Sequence, residues 1–165
     1  MSEYPYTILI ANGPNLGRLG IRQPEIYGRQ GLDALPRLIS ERLAAGVNPD
    51  LPAFDLEFFQ SNHEGELIDR LEAANDHGAA GVVLNAGAFA HTSLALADCL
   101  AGLRLPCVEV HITNILARPE AIRQQSLLAP HCIGLAAGFG LNSYALGVQA
   151  LLWHLQEQPD AEASA

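Results

Sequence analysis

Two groupings of side chains in this sequence have the types and spacing of acid–base chemistry. Tyr27 stands five positions after Arg22 in the stretch NGPNLGRLGIRQPEIYG (12–28), with Arg18 and Arg29 close by. A phenol is a poor base at its ordinary pKa of about 10. A cation about 4 Å away, at an effective dielectric near 20, favours phenolate by roughly 4 kcal/mol, or about three pKa units. One arginine against one tyrosine therefore suffices to make a base, provided the two meet. The competing reading is an aromatic ring packed within its own loop. Further along, VEVHITN (108–114) sets Glu109, His111 and Thr113 on one face of an extended run, successive members about 6.6 Å apart. A carboxylate two positions from a histidine can orient the imidazole for proton transfer. Here the competing reading is a pair of polar residues beneath a helix layer.

Composition narrows the rest of the chemistry. All nine basic side chains are arginine, so a lysine Schiff base, a P-loop lysine and pyridoxal phosphate attachment are excluded. Arg18, Arg22 and Arg29 fall in or beside the loop, and Arg118 and Arg123 in one downstream segment. In an acidic protein such clustering suggests a specific anionic ligand, because guanidinium matches a carboxylate bidentately; solvated surface charge is the alternative. The net charge of −9 argues against nucleic-acid and anionic membrane partners. The three cysteines (Cys99, Cys107, Cys132) lack C-x-x-C spacing and read as reduced thiols. Six scattered histidines do not make a zinc site, so no metal is expected, and no other cofactor either. The opening MSEYPYT lacks the regions of a secretory signal, and a cytoplasmic location is expected.

The elements that must position these residues alternate strand with helix. Continuous apolar runs at 6–11, 81–86 and 107–112 suit buried parallel strands. FDLEFF (54–59) alternates with charge and suits a sheet edge, and 131–138 completes a set of five strands. Helices are expected over 33–45, over 61–78 with Ser61 and Glu64 in capping-box spacing, over 91–102 with Thr92 or Ser93 as cap, and over 142–156. The pattern indicates one α/β domain over 1–156, flavodoxin-like, with a five-stranded parallel doubly wound sheet and helices on both faces. Residues 157–165 are expected to be a disordered tail. Ligands of such sheets sit beyond the carboxyl ends of the strands. There the sequence places Asn12, Asn15, the NAGAFAHTS segment (85–93) and the Glu109–Thr113 run. Asparagines at the ends of strands one and three, where a phospho-acceptor domain needs acids, exclude that class, and no phosphate-loop motif occurs.

Four motifs, NGPNLGRLGIRQPEIYG, QSNHEGELID (60–69), LNAGAFAHTS (84–93) and VEVHITN, in order along residues 6–150, resemble the type II 3-dehydroquinases. The resemblance implies a metal-free lyase that converts 3-dehydroquinate to 3-dehydroshikimate by anti elimination through an enolate. It implies Tyr27 as the base for the C2 proton, Arg22 as the residue that holds it as phenolate, and Asn15 as a stabiliser of the enolate. His111 would be the general acid at the departing C1 hydroxyl, oriented by Glu109. Asn85 and the backbone N–H groups of Ile112 and Thr113 would take the substrate carboxylate. His91 and Arg123 would contact ring hydroxyls, with Arg118 a competitor because ARPEAIRQQS (117–126) is one residue longer than the family pattern. The loop 16–29 would be a lid carrying the base. Asp98 would reach a neighbouring subunit's site in a homo-oligomer, a dodecamer of trimers. The alternative reading is a catalytically inactive flavodoxin-like anion-binding module.

Overall fold

Runs of Ile, Leu and Val without polar alternation are stable only where both faces are covered, and three such runs form the middle of one sheet. In the computed structural model, which describes residues 6–21, 24–27 (Pro24 and Tyr27 by backbone alone), 29–44 and 50–157, the strands are β1 (Tyr6–Asn12), β2 (Phe54–Gln60), β3 (Gly81–Asn85), β4 (Cys107–His111) and β5 (Gly134–Ala137). Every pairing is parallel and the order is β2-β1-β3-β4-β5. The strand with charged alternation, β2, lies at an edge, while β3 and β4 are buried along their whole length. The helices are α1 (Pro24–Tyr27), α2 (Leu35–Ala44), α3 (Glu64–Asp76), α4 (Leu94–Gly102) and α5 (Asn142–Glu157). This is the flavodoxin-like α/β architecture expected from the sequence.

Strand alternation divides the core into two layers. Ile8, Ile10, Val83, Val108 and Val110 face Leu35 and Ile39 of α2 and Tyr144, Val148 and Leu151 of α5. Leu9, Ala11, Val82 and Leu84 face Leu67 and Leu71 of α3 and Leu96 and Leu100 of α4. Each fully buried aliphatic side chain contributes about 1.5–3 kcal/mol, so both layers hold the strands against rotation. Since Val108 and Val110 belong to the α5 side, the period of two sends Glu109 and His111 to the other face of β4. Gly147 lets α5 lie close to the sheet: a Cβ there would stand 2.8 Å from Val110 Cγ1 and 3.0 Å from Val83 Cγ1.

Several local expectations are corrected. The run 131–138 is a strand only over Gly134–Ala137, because Ala129–His131 turns as a 3-10 helix. The Ser126 hydroxyl accepts the Leu128 and Ala129 N–H groups at 3.1 Å each, and Pro130 has no N–H to donate, so the chain is turned before it can pair. Helix α3 begins at Glu64 rather than Ser61. The expected capping box does not form: the Ser61 hydroxyl accepts the His63 N–H at 2.9 Å and donates to the Glu66 carboxylate instead. Ser93 is the cap of α4, accepting the Leu96 N–H at 2.9 Å. The long segment after β1 has structure of its own, a 3-10 turn at Leu16–Arg18, Leu19 buried in the α2/α5 layer, and α1. Arg22, Gly28, the expected helix end at Ala45 and Gly46, and the tail beyond Glu157 lie outside the described residues. Among the described residues no helix is long and apolar enough to cross a membrane.

Candidate active site

In a sheet ordered 2-1-3-4-5 the connections diverge between β1 and β3, opening a crevice at their carboxyl ends. Asn12 and Asn85 are register partners at that end, and Glu109 pairs with Leu84 beside them. The exits of β1 and β3 touch: the Gly13 N–H donates to the Asn85 carbonyl at 2.7 Å. A Cβ on Gly13 would lie 2.3 Å from the Ala86 carbonyl oxygen, which only glycine avoids. The chain then leaves β1 through Asn15, held in the left-handed region at φ 67°, with its N–H donating to Asn62 Oδ1 at 2.9 Å. Asparagine tolerates that conformation better than most residues.

A cavity opens above these strand ends, lined by Asn15, Asn85, His111, Ile112, Thr113, Arg118 and Arg123 together with Pro14, Leu16, Leu19, Gly87 and Ala88. The structure thus brings together five of the residues singled out from the sequence, and both competing arginines. His91 stands behind the cavity rather than on its lining. Asp98 is exposed on α4 and does not line this cavity. Of Tyr27 the structure describes only the backbone, in the last position of α1, and Arg22 lies outside the described residues.

The Glu109–His111 pair is built on β4. His111 Nε2 lies 2.6 Å from Glu109 Oε1, and both side chains are buried, Glu109 completely. Ser126 Oγ lies 2.8 Å from each Glu109 oxygen. Because the Leu128 and Ala129 N–H groups occupy the hydroxyl's lone pairs, its proton points at Glu109. The carboxylate is therefore an acceptor from both neighbours, His111 donates from Nε2, and Nδ1 is the ring nitrogen left for the cavity. The His91 ring stacks on His111 at 6.1 Å between centroids, with 16° between planes.

His91 in turn holds Arg118. Its Nδ1 donates to the Gln125 carbonyl at 2.5 Å, leaving Nε2 to accept from Arg118 Nη1 at 3.0 Å, while Arg118 Nη2 donates to Thr113 Oγ1 at 3.2 Å. Only a neutral imidazole can make both bonds. Its pKa is accordingly lowered from the usual 6.5, first by burial and then by the charges of Arg118, His111 and Arg123, against the raising effect of the Gln125 bond. Below pH 6.5 the unfolded chain takes up a proton that the folded chain refuses, so folding stability falls as pH drops from 6.5 through the lower folded value, then levels. Denaturant titrations at successive pH values should show this loss in the wild type, and the stability difference from His91→Gln should stop changing with pH above pH 7.

Sequence reading alone misses Ser126 and Tyr144. Tyr144 is buried at 0% exposure, and its hydroxyl lies between the side chains of Asn12 and Asn85. Neither residue is near the strand-end motifs in the chain, and a tyrosine in an amphipathic helix reads as core. Among the described residues no group of three or more His, Cys, Asp or Glu side chains could hold a metal ion. The three cysteines are free thiols, with Cys107 buried and Cys99 and Cys132 half-buried.

Comparison with known proteins places this geometry. The family model described as dehydroquinase class II matches residues 6–152. The chain is 48% identical over 155 residues to the 3-dehydroquinate dehydratase of Pelodictyon phaeoclathratiforme, covering 93% of this chain and 97% of that one. It is 48% identical over 147 residues to that of Chlorobaculum tepidum, covering 88% and 93%. Its fold is similar to the crystal structure of the type II dehydroquinase from Butyrivibrio crossotus, with a TM-score of 0.79 at 38% identity, covering 88% of this chain and 97% of that one. The type II dehydroquinase from Propionibacterium acnes gives a TM-score of 0.77 at 39% identity, over 94% and 99%. With a family model spanning nearly the whole chain and relatives matched along almost their full length, this protein belongs to the class II dehydroquinase family.

Proposed function

We propose that this enzyme dehydrates 3-dehydroquinate to 3-dehydroshikimate, with Tyr27 as base and His111 as general acid. The observation that carries the reading is the Ser126–Glu109–His111 chain, with Glu109 and His111 buried, beside a cavity that also presents Asn85, Thr113 and two arginines. The substrate carboxylate meets donors at Asn85, Ile112 and Thr113. Tyr27 as phenolate, held by Arg22, takes the C2 proton, and Asn15 at the β1 exit steadies the enolate that forms. The enolate then collapses as the C1–O bond breaks, and His111, acting as an imidazolium with Nε2–H held by Glu109, delivers its Nδ1 proton so that the hydroxyl leaves as water and the ring returns to neutral. Every step is proton transfer between side chains and substrate, helped by water exclusion as the lid closes. An ultraviolet assay tests the reading, because the product's conjugated enone absorbs and the substrate does not. Growth of that band supports it. A flat trace would leave an inactive anion-binding module.

The two arginines have different duties in this reading. Arg118 is tied to His91 and Thr113, whereas Arg123 makes no side-chain hydrogen bond among the described residues and lines the cavity. Arg123 therefore contacts the substrate. A charge-assisted contact is worth about 1.5–3 kcal/mol, so Arg123→Ala should raise KM about 10- to 100-fold. Steady-state kinetics of Arg118→Ala should show a smaller rise; the reverse order would give the contact to Arg118. Asp98 is assigned to the site of another subunit in a homo-oligomer, expected to be a dodecamer.

A further inference from the structure

Beneath the cavity floor, five side-chain and backbone groups form one hydrogen-bonded line. Asn12 Nδ2 donates to the Phe59 carbonyl at 3.3 Å. The Tyr144 hydroxyl donates to Asn12 Oδ1 at 2.6 Å, and Asn85 Nδ2 donates to the Tyr144 oxygen at 2.8 Å. The line ends where Gly87 N–H donates to Asn85 Oδ1 at 3.2 Å. Both ends are backbone groups of fixed polarity, a carbonyl that can only accept and an N–H that can only donate. Starting from Phe59, the Asn12 amide must turn its nitrogen to that carbonyl and its oxygen to Tyr144. The Tyr144 proton must then go to Asn12, and its lone pair can only receive from Asn85. Starting from Gly87, the same orientation of Asn85 follows independently. The two ends agree, so the Asn85 amide has one allowed direction.

That direction matters for the reaction. One of the two Asn85 N–H groups is engaged by Tyr144, and the residue lines the cavity, so the other N–H remains as the donor on the substrate's side. An asparagine that flipped would present its carbonyl there and repel a carboxylate, and the single weak Gly87 contact at 3.2 Å opposes that less than the two contacts together. Tyr144 suits the task. It is fully buried on α5, the helix that Gly147 brings against the sheet, and burial pushes its phenol well above the usual value, so it keeps the proton the line requires. Asn12 and Asn85 are held side by side by their register on β1 and β3.

We infer that Tyr144 is a positioning residue for substrate binding, acting through Asn85: together with Asn12 it locks the Asn85 amide with an N–H toward the substrate carboxylate. The inference rests on the proposed function only in assigning that carboxylate to Asn85.

Kinetics with 3-dehydroquinate test the substrate-binding part. Tyr144→Phe, which removes one oxygen, should raise KM roughly tenfold while kcat stays within about twofold. In an Asn85→Ala background the same substitution should add no further rise in KM, since the group it orients is gone. Val148→Ala on the same helix is destabilising but should leave KM unchanged, which separates orientation from general loosening. An unchanged KM in Tyr144→Phe, or a full additional rise in the Asn85→Ala background, would overturn the inference. A second reading needs no turnover. The Asn85 side-chain amide should give one sharp, slowly exchanging NH2 pair by NMR in the wild type, broadened or doubled in Tyr144→Phe. An unchanged pair would overturn the locking whatever the kinetics gave. If the wild type failed to turn over 3-dehydroquinate, the proposed function would fall, and the amide signals would still decide whether Tyr144 sets Asn85.

Discussion

Tyr27→Phe should lower kcat about a thousandfold and leave KM nearly unchanged, the size expected when a general base is removed and binding is kept. The substitution takes away one oxygen and keeps the ring, so packing of the loop is disturbed little. What it removes is specific. An ordinary phenol with a pKa of about 10 is almost wholly protonated at neutral pH, and in the proposed mechanism the Arg22 guanidinium, worth roughly 4 kcal/mol at about 4 Å, brings phenolate within reach. The variant should therefore also lose the acid-side limb of the kcat/KM profile that comes from protonating that phenolate. Arg22→Gln should shift the limb to higher pH, because the phenol returns toward its ordinary value. The ultraviolet assay across pH provides all three readings. A Tyr27→Phe enzyme with wild-type kcat would move the base elsewhere in the cavity.

Glu109→Gln should reduce kcat by roughly 10²- to 10⁴-fold, with binding again little affected. Glu109 is fully buried and accepts from His111 on one side and from Ser126 on the other. A glutamine offers one acceptor and one donor in the same space. With its oxygen toward His111, its NH2 confronts a Ser126 hydroxyl whose lone pairs already serve Leu128 and Ala129. With its NH2 toward His111, the imidazole must shift its proton to Nδ1 and loses the partner that stabilises it when charged. Either arrangement also leaves a buried polar group without a partner, at about 1–3 kcal/mol of stability. The paired measurement of kcat and unfolding free energy checks both consequences. A variant with near-normal kcat would make Glu109 a structural residue and leave His111 to be oriented by its stacking on His91.

How much of this was legible in the chain depends on the distance over which each feature is decided. The strands β1, β3 and β4 could be read because a buried parallel strand must be apolar at every position, and β2 because an edge strand alternates. The Glu109–His111 pair was legible for a similar reason: two residues apart on a strand means one face, whatever surrounds it. Where the reading failed, a remote or local competitor intervened. The run at 131–133 has strand composition, but the Ser126 hydroxyl and Pro130 turn it first. Ser61 and Glu64 have the spacing of a capping box, but Glu66 takes the serine's proton.

The contacts that aim the site were beyond such reading. Tyr144 meets Asn85 across 59 positions and Asn12 across 132, and Arg118 meets His91 across 27. Periodicity and capping arise among residues within a turn or two of each other, so they are written in the order of the amino acids. That order sets the strands, the strand-end placement of Asn12, Asn85 and His111, and a chemistry without lysine. Which asparagine proton faces the cavity, and which arginine is tied to a histidine behind it, depend on chain segments meeting after the sheet is assembled. Those meetings are governed by packing, where α5 owes its close approach to the absence of a single Cβ at Gly147.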